Sequence, residues 1–298
     1  MTLSLDHLGY VGGSLEALQR AMRRLGFAPT EPRELGATAA AGGAVRSLQQ
    51  RSCHLVFESS YIELTEVTQT GPDHHLAPWL ASGDGLKILA LGTDAVEAAQ
   101  AQCAARQIEC SAVAHATRQI DYGRLHGAAR FTWFMARARE TPEGLLCFVR
   151  NETPELVYQT EVMRHPNTAL AVTELVIASA EPVATALRYA RLLGVAPLAD
   201  AALQRSQTTR LELAGGQLTF TDSADLGRRF GPAAGRIAAE QFAALTIQVA
   251  DLDTTERILD AGAVAFHRHR DELIVSPQDA AGAAIAFRQG ALVYPAEP

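Results

Sequence analysis

Apolar and polar positions repeat one order four times along the chain: a short apolar strand, an amphipathic helical segment of about three to four turns, then strands in which apolar and polar residues alternate. The four copies open at LDHLGYV, LKILALG, VTELVIA and ALTIQVA. In the first, Ser14 is placed to cap a helix whose apolar stripe includes Leu15, Leu18, Met22 and Leu25, and Gly26 closes it. The strands AVRSLQQ, CHLVFE and YIELTEV follow, which makes the unit βαβββ. The second copy predicts a helix from about Ala95 to Arg106, then CSAVAH, ARFTWFMARA and GLLCFVR. The third predicts a helix from Pro182, which a first turn tolerates, to Leu193 before Gly194, followed by TTRLELA and GQLTFTD. The fourth runs from VADLDTTERILDAG through VAFHRHR and ELIVSP to AAIAFRQ.

This order predicts an α+β protein of four βαβββ modules, paired into two domains with curved mixed sheets and helices on one face. A chain of 298 residues is near the upper limit for one hydrophobic core. The loop-like segment RNETPELVYQTEVMRHPNTAL separates modules two and three, so the expected division is a first domain over 1–150, a linker over 151–167 and a second domain over 168–298.

Composition adds exclusions. With 48% hydrophobic and 20% charged residues the chain has ordinary globular composition. A formal net charge of −7 and the lack of a clustered basic face beyond Arg20, Arg23 and Arg24 argue against a nucleic-acid partner. No run reaches the roughly 18 apolar residues that span a bilayer, and the first residues carry no secretory leader, so a cytoplasmic protein without a membrane partner is expected. Cys53, Cys103, Cys110 and Cys147 show no C-x-x-C spacing and read as buried thiols. No nucleophile elbow, P-loop or dinucleotide fingerprint is present.

The strands DHLGYV and YIELTEV resemble the first module of glyoxalase I and its vicinal oxygen chelate relatives, a superfamily that also includes bleomycin-resistance proteins and extradiol dioxygenases. HHLAPWLASGDGLKILALGTD and HPNTALAVTELVI are similar, more narrowly, to glyoxalase-like domain proteins. The resemblance implies a divalent metal, Zn, Ni, Mn or Fe, on a first-strand His and a fourth-strand Glu, here His7 and Glu63, which would also be the catalytic pair. Its second pair departs from the pattern: strand for strand, Lys87 and Phe148 take those places, so any metal is expected to bind weakly. In the second half Glu174 holds the first-strand position, but Thr219, Ala244 and Ala286 hold the others, and that half is expected to be chemically empty.

Alternation puts Tyr61, Glu63 and Thr65 on one face, with Leu5, His7 and Gly9. The same reasoning turns Lys87, Leu89, Leu91, Leu146, Phe148 and Arg150 inward. Lys87 reads either as a surface lysine or as a pocket lysine paired with Glu63. Arg130 could hold a ligand carboxylate or lie on the surface, while His126 could be carried over the pocket mouth by its loop. His74 and His75 read as loop histidines. The expected ligand is a small molecule, and a homodimer is admitted. Two functions stay open: a metal-assisted lyase or isomerase acting on a small carbonyl or vicinal-oxygen compound, and a non-catalytic binding protein of the resistance type.

Overall fold

A computed structural model of the chain describes residues 2–38, 43–44, 46–72, 74–196 and 208–290. The first module is β1 (Ser4–Gly12), α1 (Leu15–Arg24), β2 (Arg33–Thr38), β3 (Arg46–Val56) and β4 (Tyr61–Val67). A single turn, α2 (Ala77–Leu80), leads into β5 (Gly85–Gly92), α3 (Val96–Ala105), β6 (Ala114–Ile120), β7 (Gly127–Met135) and β8 (Leu145–Asn151). After the short α4 (Pro154–Val157), the third module shows β9 (Ala169–Ala178), α5 (Pro182–Leu193), β10 (Thr209–Leu213) and β11 (Gly216–Thr221) among the described residues. An additional helix, α6 (Ser223–Phe230), precedes the fourth module: β12 (Gln241–Val249), α7 (Leu252–Ala261), β13 (Phe266–His269), β14 (Glu272–Val275) and β15 (Ala284–Gln289).

The helices begin where the capping residues put them. Ser14 accepts from the Ala17 amide and Asp251 from the Thr254 amide, while Gly194 ends α5 in the left-handed region. Gly26, at φ +82°, is obligatory for a second reason: a Cβ there would lie 2.3 Å from Cγ2 of Ile258 on α7.

The eight strands of residues 4–151 close into a barrel in the order β1-β4-β3-β2-β6-β7-β8-β5. β1 runs parallel to β4 and β5 parallel to β8, and the modules meet twice: β1 against β5, with Leu8 opposite Leu89, and β2 against β6, with Ala37 opposite Ala116. The second contact turns an open curved sheet into an enclosed one. Strands β9 to β15 form a seven-stranded mixed sheet in the order β10-β11-β9-β12-β15-β14-β13.

One core lies between the two sheets and their helices, joining Leu8, Tyr10 and Leu89 to Met22 of α1, Leu175 of β9 and Tyr189 of α5. A separate cluster fills part of the barrel interior, with Val11, Ile88, Phe131 and Cys147 at its centre. The free face of the second sheet is covered: Leu226 and Phe230 of α6 pack onto Val176, Ala244 and Ala286. Leu226 and Phe230 each stabilise that closure by about 1.5–3 kcal/mol. Beneath it Arg229 of α6 bridges the carboxylates of Glu174 and Glu272, at 2.7 and 2.9 Å, and Thr246 and Thr219 donate to Glu174. The second sheet therefore carries an internal ion cluster beneath α6, a feature the strand pattern alone does not reveal.

The segment joining the sheets is tied to the barrel. His165 accepts from the Ala28 amide through Nδ1 at 3.1 Å and donates to the Val56 carbonyl through Nε2 at 2.9 Å, and Asn167 donates to the Leu25 carbonyl.

Candidate functional site

The barrel encloses a cavity of about 90 Å³. Past Leu48, His75 and Trp133 it opens into an outer groove of about 520 Å³ that shares those three residues. On the inner wall the strand pairing brings polar residues together. Glu63 of β4 stands opposite His54 of β3 and beside Gly9 of β1, and His7 lies beside Tyr61. The ring of His7 stacks on that of Tyr61, with centroids 4.3 Å apart and planes 13° from parallel. His7, Tyr61, Glu63 and His54 are all buried.

Asp6 joins this group through a break in the strand. Neighbouring residues of a regular strand point to opposite faces, but the β1–β5 register shifts between Leu5 and His7, leaving Asp6 as the extra residue. His7 Nδ1 consequently donates to Asp6 Oδ1 at 2.6 Å, and His7 Nε2 is left 3.9 Å from Glu63 Oε2. A carboxylate on Nδ1 fixes the tautomer whose Nε2 carries a lone pair.

Arg118 of β6 closes the other side. It is buried, with its guanidinium 5.7 Å from the Tyr61 ring centre and 5.5 Å from that of Phe131. Its Nη1 donates to His54 Nε2. Burial, then the Arg118 charge and then His7, holds His54 well below the usual histidine range, so it stays neutral and accepts. At the mouth, burial and then the neighbouring His74 lower His75 to about 4. Burial pushes the Tyr61 phenol far up, and it stays protonated.

The sequence-derived candidates divide cleanly. His7, Tyr61 and Glu63 meet in the cavity. Lys87 does not line it. It lies at the register shift between Gly9 and Tyr10, donates to Ser82 Oγ and forms no ion pair with Glu63. Residues Ile88 and Ala90 face the interior cluster, while Leu89 and Leu91 face the helices. In β8 the same one-residue difference turns Leu145, Cys147 and Val149 inward. Phe148, expected inward, instead stacks on Phe134 in the helix-side core at 4.7 Å. Arg150 and Arg130 lie outside the barrel near Glu152, at 3.5 and 3.7 Å, and His126 is exposed with Nε2 against the Gly123 carbonyl. The expected inward face of the second module is thus its outer one, because alternation fixes which residues share a face but not which face is the interior.

The strand reading missed Asp6, His54 and Arg118. A prediction that ends the sixth strand at His115 leaves Arg118 in a loop. The alternation of Ala116, Arg118 and Ile120 carries the signal that could have placed it.

The donor set fits a divalent metal poorly. Two donors converge, His7 Nε2 and Glu63 Oε2, but the second-module positions facing them are Ile88, which has no lone pair, and Cys147. Burial and then the charges of Asp6 and Glu63 push the Cys147 thiol up, away from the thiolate that binds metal. Among the described residues no group of three or more His, Cys, Asp or Glu is arranged to hold an ion.

A family model described as a glyoxalase-like domain matches residues 5–193. No curated protein matches the sequence. Among solved structures, a hypothetical protein from Staphylococcus aureus superposes with a TM-score of 0.63 at 12% identity, over 97% of this chain and 100% of that one. A mutant of 4-hydroxymandelate synthase from Streptomyces coelicolor superposes at 0.62 and 14% identity, over 98% and 94%. A xylose isomerase-like TIM barrel/4-hydroxyphenylpyruvate dioxygenase fusion protein gives 0.60 at 13% identity, over 99% of this chain and 49% of that one. At these identities the likeness shows the fold alone. The chain belongs to the glyoxalase-like domain family.

Proposed function

We propose that this glyoxalase-like protein binds a small, largely apolar molecule with vicinal oxygens in the first barrel, and that His7 and Glu63 transfer a proton on it without a bound metal. The observation that carries this reading is the 2.6 Å hydrogen bond from His7 to Asp6, which leaves the basic nitrogen 3.9 Å from Glu63 inside an apolar cavity. A positioned base in a dry site can remove a proton from carbon next to a carbonyl. The C–H electron pair becomes the C=C bond of an enolate, negative charge passes to the carbonyl oxygen, and the proton rests on His7 Nε2 or the Glu63 carboxylate. Returning it to the same or the other face gives exchange or isomerisation. Ligand binding without chemistry is the neighbouring reading, and the same cavity serves it.

Solvent-deuterium incorporation at C3 of 2-oxobutyrate, followed by NMR with chelator-treated protein, tests the reading. Exchange above the buffer rate is expected, falling at least about 100-fold in His7→Gln and in Glu63→Gln, the usual loss for a general base. Exchange that appears only on adding Zn, Ni, Mn or Fe, or that survives both substitutions, overturns it. Binding of 2-oxobutyrate without exchange leaves the cavity as a binding site alone.

A further inference from the structure

Arg118 is a buried cation with no carboxylate partner among the described residues. Its Nη1 is engaged by His54, whereas Nε and Nη2 have no hydrogen-bond partner among those residues. Burial raises the Tyr122 phenol, with the charge and a side-chain contact of nearby Arg118 opposing, but its hydroxyl donates to the Val157 carbonyl at 3.1 Å and makes no regular hydrogen bond to Nε or Nη2 of Arg118. Leaving a guanidinium half-paired in an apolar barrel is costly, since a buried charge needs a counter-charge or a full set of acceptors.

Which nitrogens are free matters. Nε–H and Nη2–H lie along one edge of the planar guanidinium and point the same way, the fork that receives both oxygens of a carboxylate. His54 occupies the third nitrogen and, being neutral, adds no charge of its own. Arg118 lines the cavity that holds His7 and Glu63, and the rings of Tyr61 and Phe131 flank its planar group.

We infer that the ligand of this cavity is an organic carboxylate, and that Arg118 binds it side-on through Nε and Nη2 while its apolar body extends past Leu48, His75 and Trp133 into the outer groove. The inference rests on the reading of the barrel as a small-molecule site. The volumes agree with this orientation, since about 90 Å³ accommodates a carboxylate and a few carbons and the adjoining groove of about 520 Å³ takes the remainder. Trp133 Nε1 and Gln50 Oε1, both in the lining and both unpartnered among the described residues, can meet further polar groups of the ligand. His54 is then a positioning residue, holding the guanidinium so that the bidentate edge stays free.

Calorimetric titration of the full chain with benzoate and with benzamide, its uncharged analogue of similar shape, tests this. Native protein is expected to bind benzoate at least about tenfold more tightly than benzamide, as a bidentate charged pair requires. Arg118→Gln is expected to bring benzoate down to the benzamide level without changing benzamide. Arg118→Lys, which keeps the charge and loses the fork, is expected to restore only part of the difference. Equal affinities of the two compounds in native protein, or unchanged benzoate affinity in Arg118→Gln, overturn the inference while leaving the barrel a binding site. Binding of neither compound overturns the inference together with that reading. If Arg118→Gln does not fold, the native comparison and Arg118→Lys decide the matter.

Discussion

His54 accepts the Nη1–H of Arg118 through Nε2, so a neutral imidazole rather than a carboxylate orients the guanidinium that, among the described residues, lines the barrel cavity. A carboxylate in that place would quench the charge. The neutral ring holds the fork in position and leaves its electrostatic demand unmet. Replacing His54 by Ala is expected to destabilise the fold by about 1–3 kcal/mol, because a third guanidinium nitrogen loses its acceptor. Benzoate affinity should fall severalfold while benzamide affinity holds. Chemical denaturation and the same titrations check both effects.

Asp6 Oδ1 accepts from His7 Nδ1 and sets which nitrogen is basic. Asp6→Asn keeps the shape but removes the charge that steadies a protonated His7. Deuterium exchange into 2-oxobutyrate is expected to slow by about 10–100-fold, the cost of removing a carboxylate behind a functional histidine. An unchanged rate, measured beside unchanged thermal stability, contradicts the proton-transfer reading.

Because Ile88 and Cys147, and not Lys87 and Phe148, face the cavity, the missing donors of a metal site can be restored only there. The double variant Ile88→His, Cys147→Glu is expected to bind one Zn per chain, since imidazole and carboxylate supply the lone pairs that Ile and a protonated thiol do not. Lys87→His is expected to gain no such affinity. Zinc titration against a chromophoric chelator separates the two, and tight binding by Lys87→His alone contradicts this assignment of faces.

His165 predicts an acid-sensitive step in stability. Burial lowers it to about 4, below the usual histidine range, with the Val56 carbonyl opposing. A histidine more basic in the unfolded chain contributes stability that is fully present above about 6.5 and is lost as pH falls toward 4, on the order of 3 kcal/mol in all. His165→Gln is expected to flatten that part of the profile, although its lower plateau reflects the lost bonds to Ala28 and Val56. Urea midpoints at pH 7 and pH 4.5 for both proteins check this.

Arg229 separates two buried carboxylates, and burial alone would raise Glu174. The Arg229 pair, with Thr219 and Thr246, instead brings it to about 2. Arg229→Met leaves Glu174 buried without a counter-charge, while Glu272 keeps its pair with Arg288, so a loss of about 3–5 kcal/mol is expected. Arg268→Met, which removes an exposed pair with Glu256, should cost far less. Equal losses in thermal denaturation contradict the plug role of α6.

Local pattern determined much of this protein. The stripe Leu15, Leu18, Met22 with Ser14 before it and Gly26 after it marks a helix wherever it occurs, and alternation around Glu63 puts Tyr61 and Thr65 on its face. These rules act over a few residues, so the modules and the helix ends were legible, whereas the pairing of His7 with Glu63 came from the family resemblance. The register of the second module was not. Alternation has period two and is blind to which of its two faces becomes the interior. That choice fell to the closure of the barrel through β1–β5 and β2–β6, and to the helices that needed Leu89, Leu91 and Phe148 on the outer side. Tertiary structure also decided what no local rule contains: a register shift that brings Asp6 to His7, the meeting of His54 and Arg118, residues 64 apart in sequence, and a helix laid across the second sheet with Arg229 beneath it. The last two are contacts between segments distant in the chain and the first follows from the pairing of β1 with the distant β5, all settled by the burial of apolar surface and the need to satisfy the charges enclosed with it.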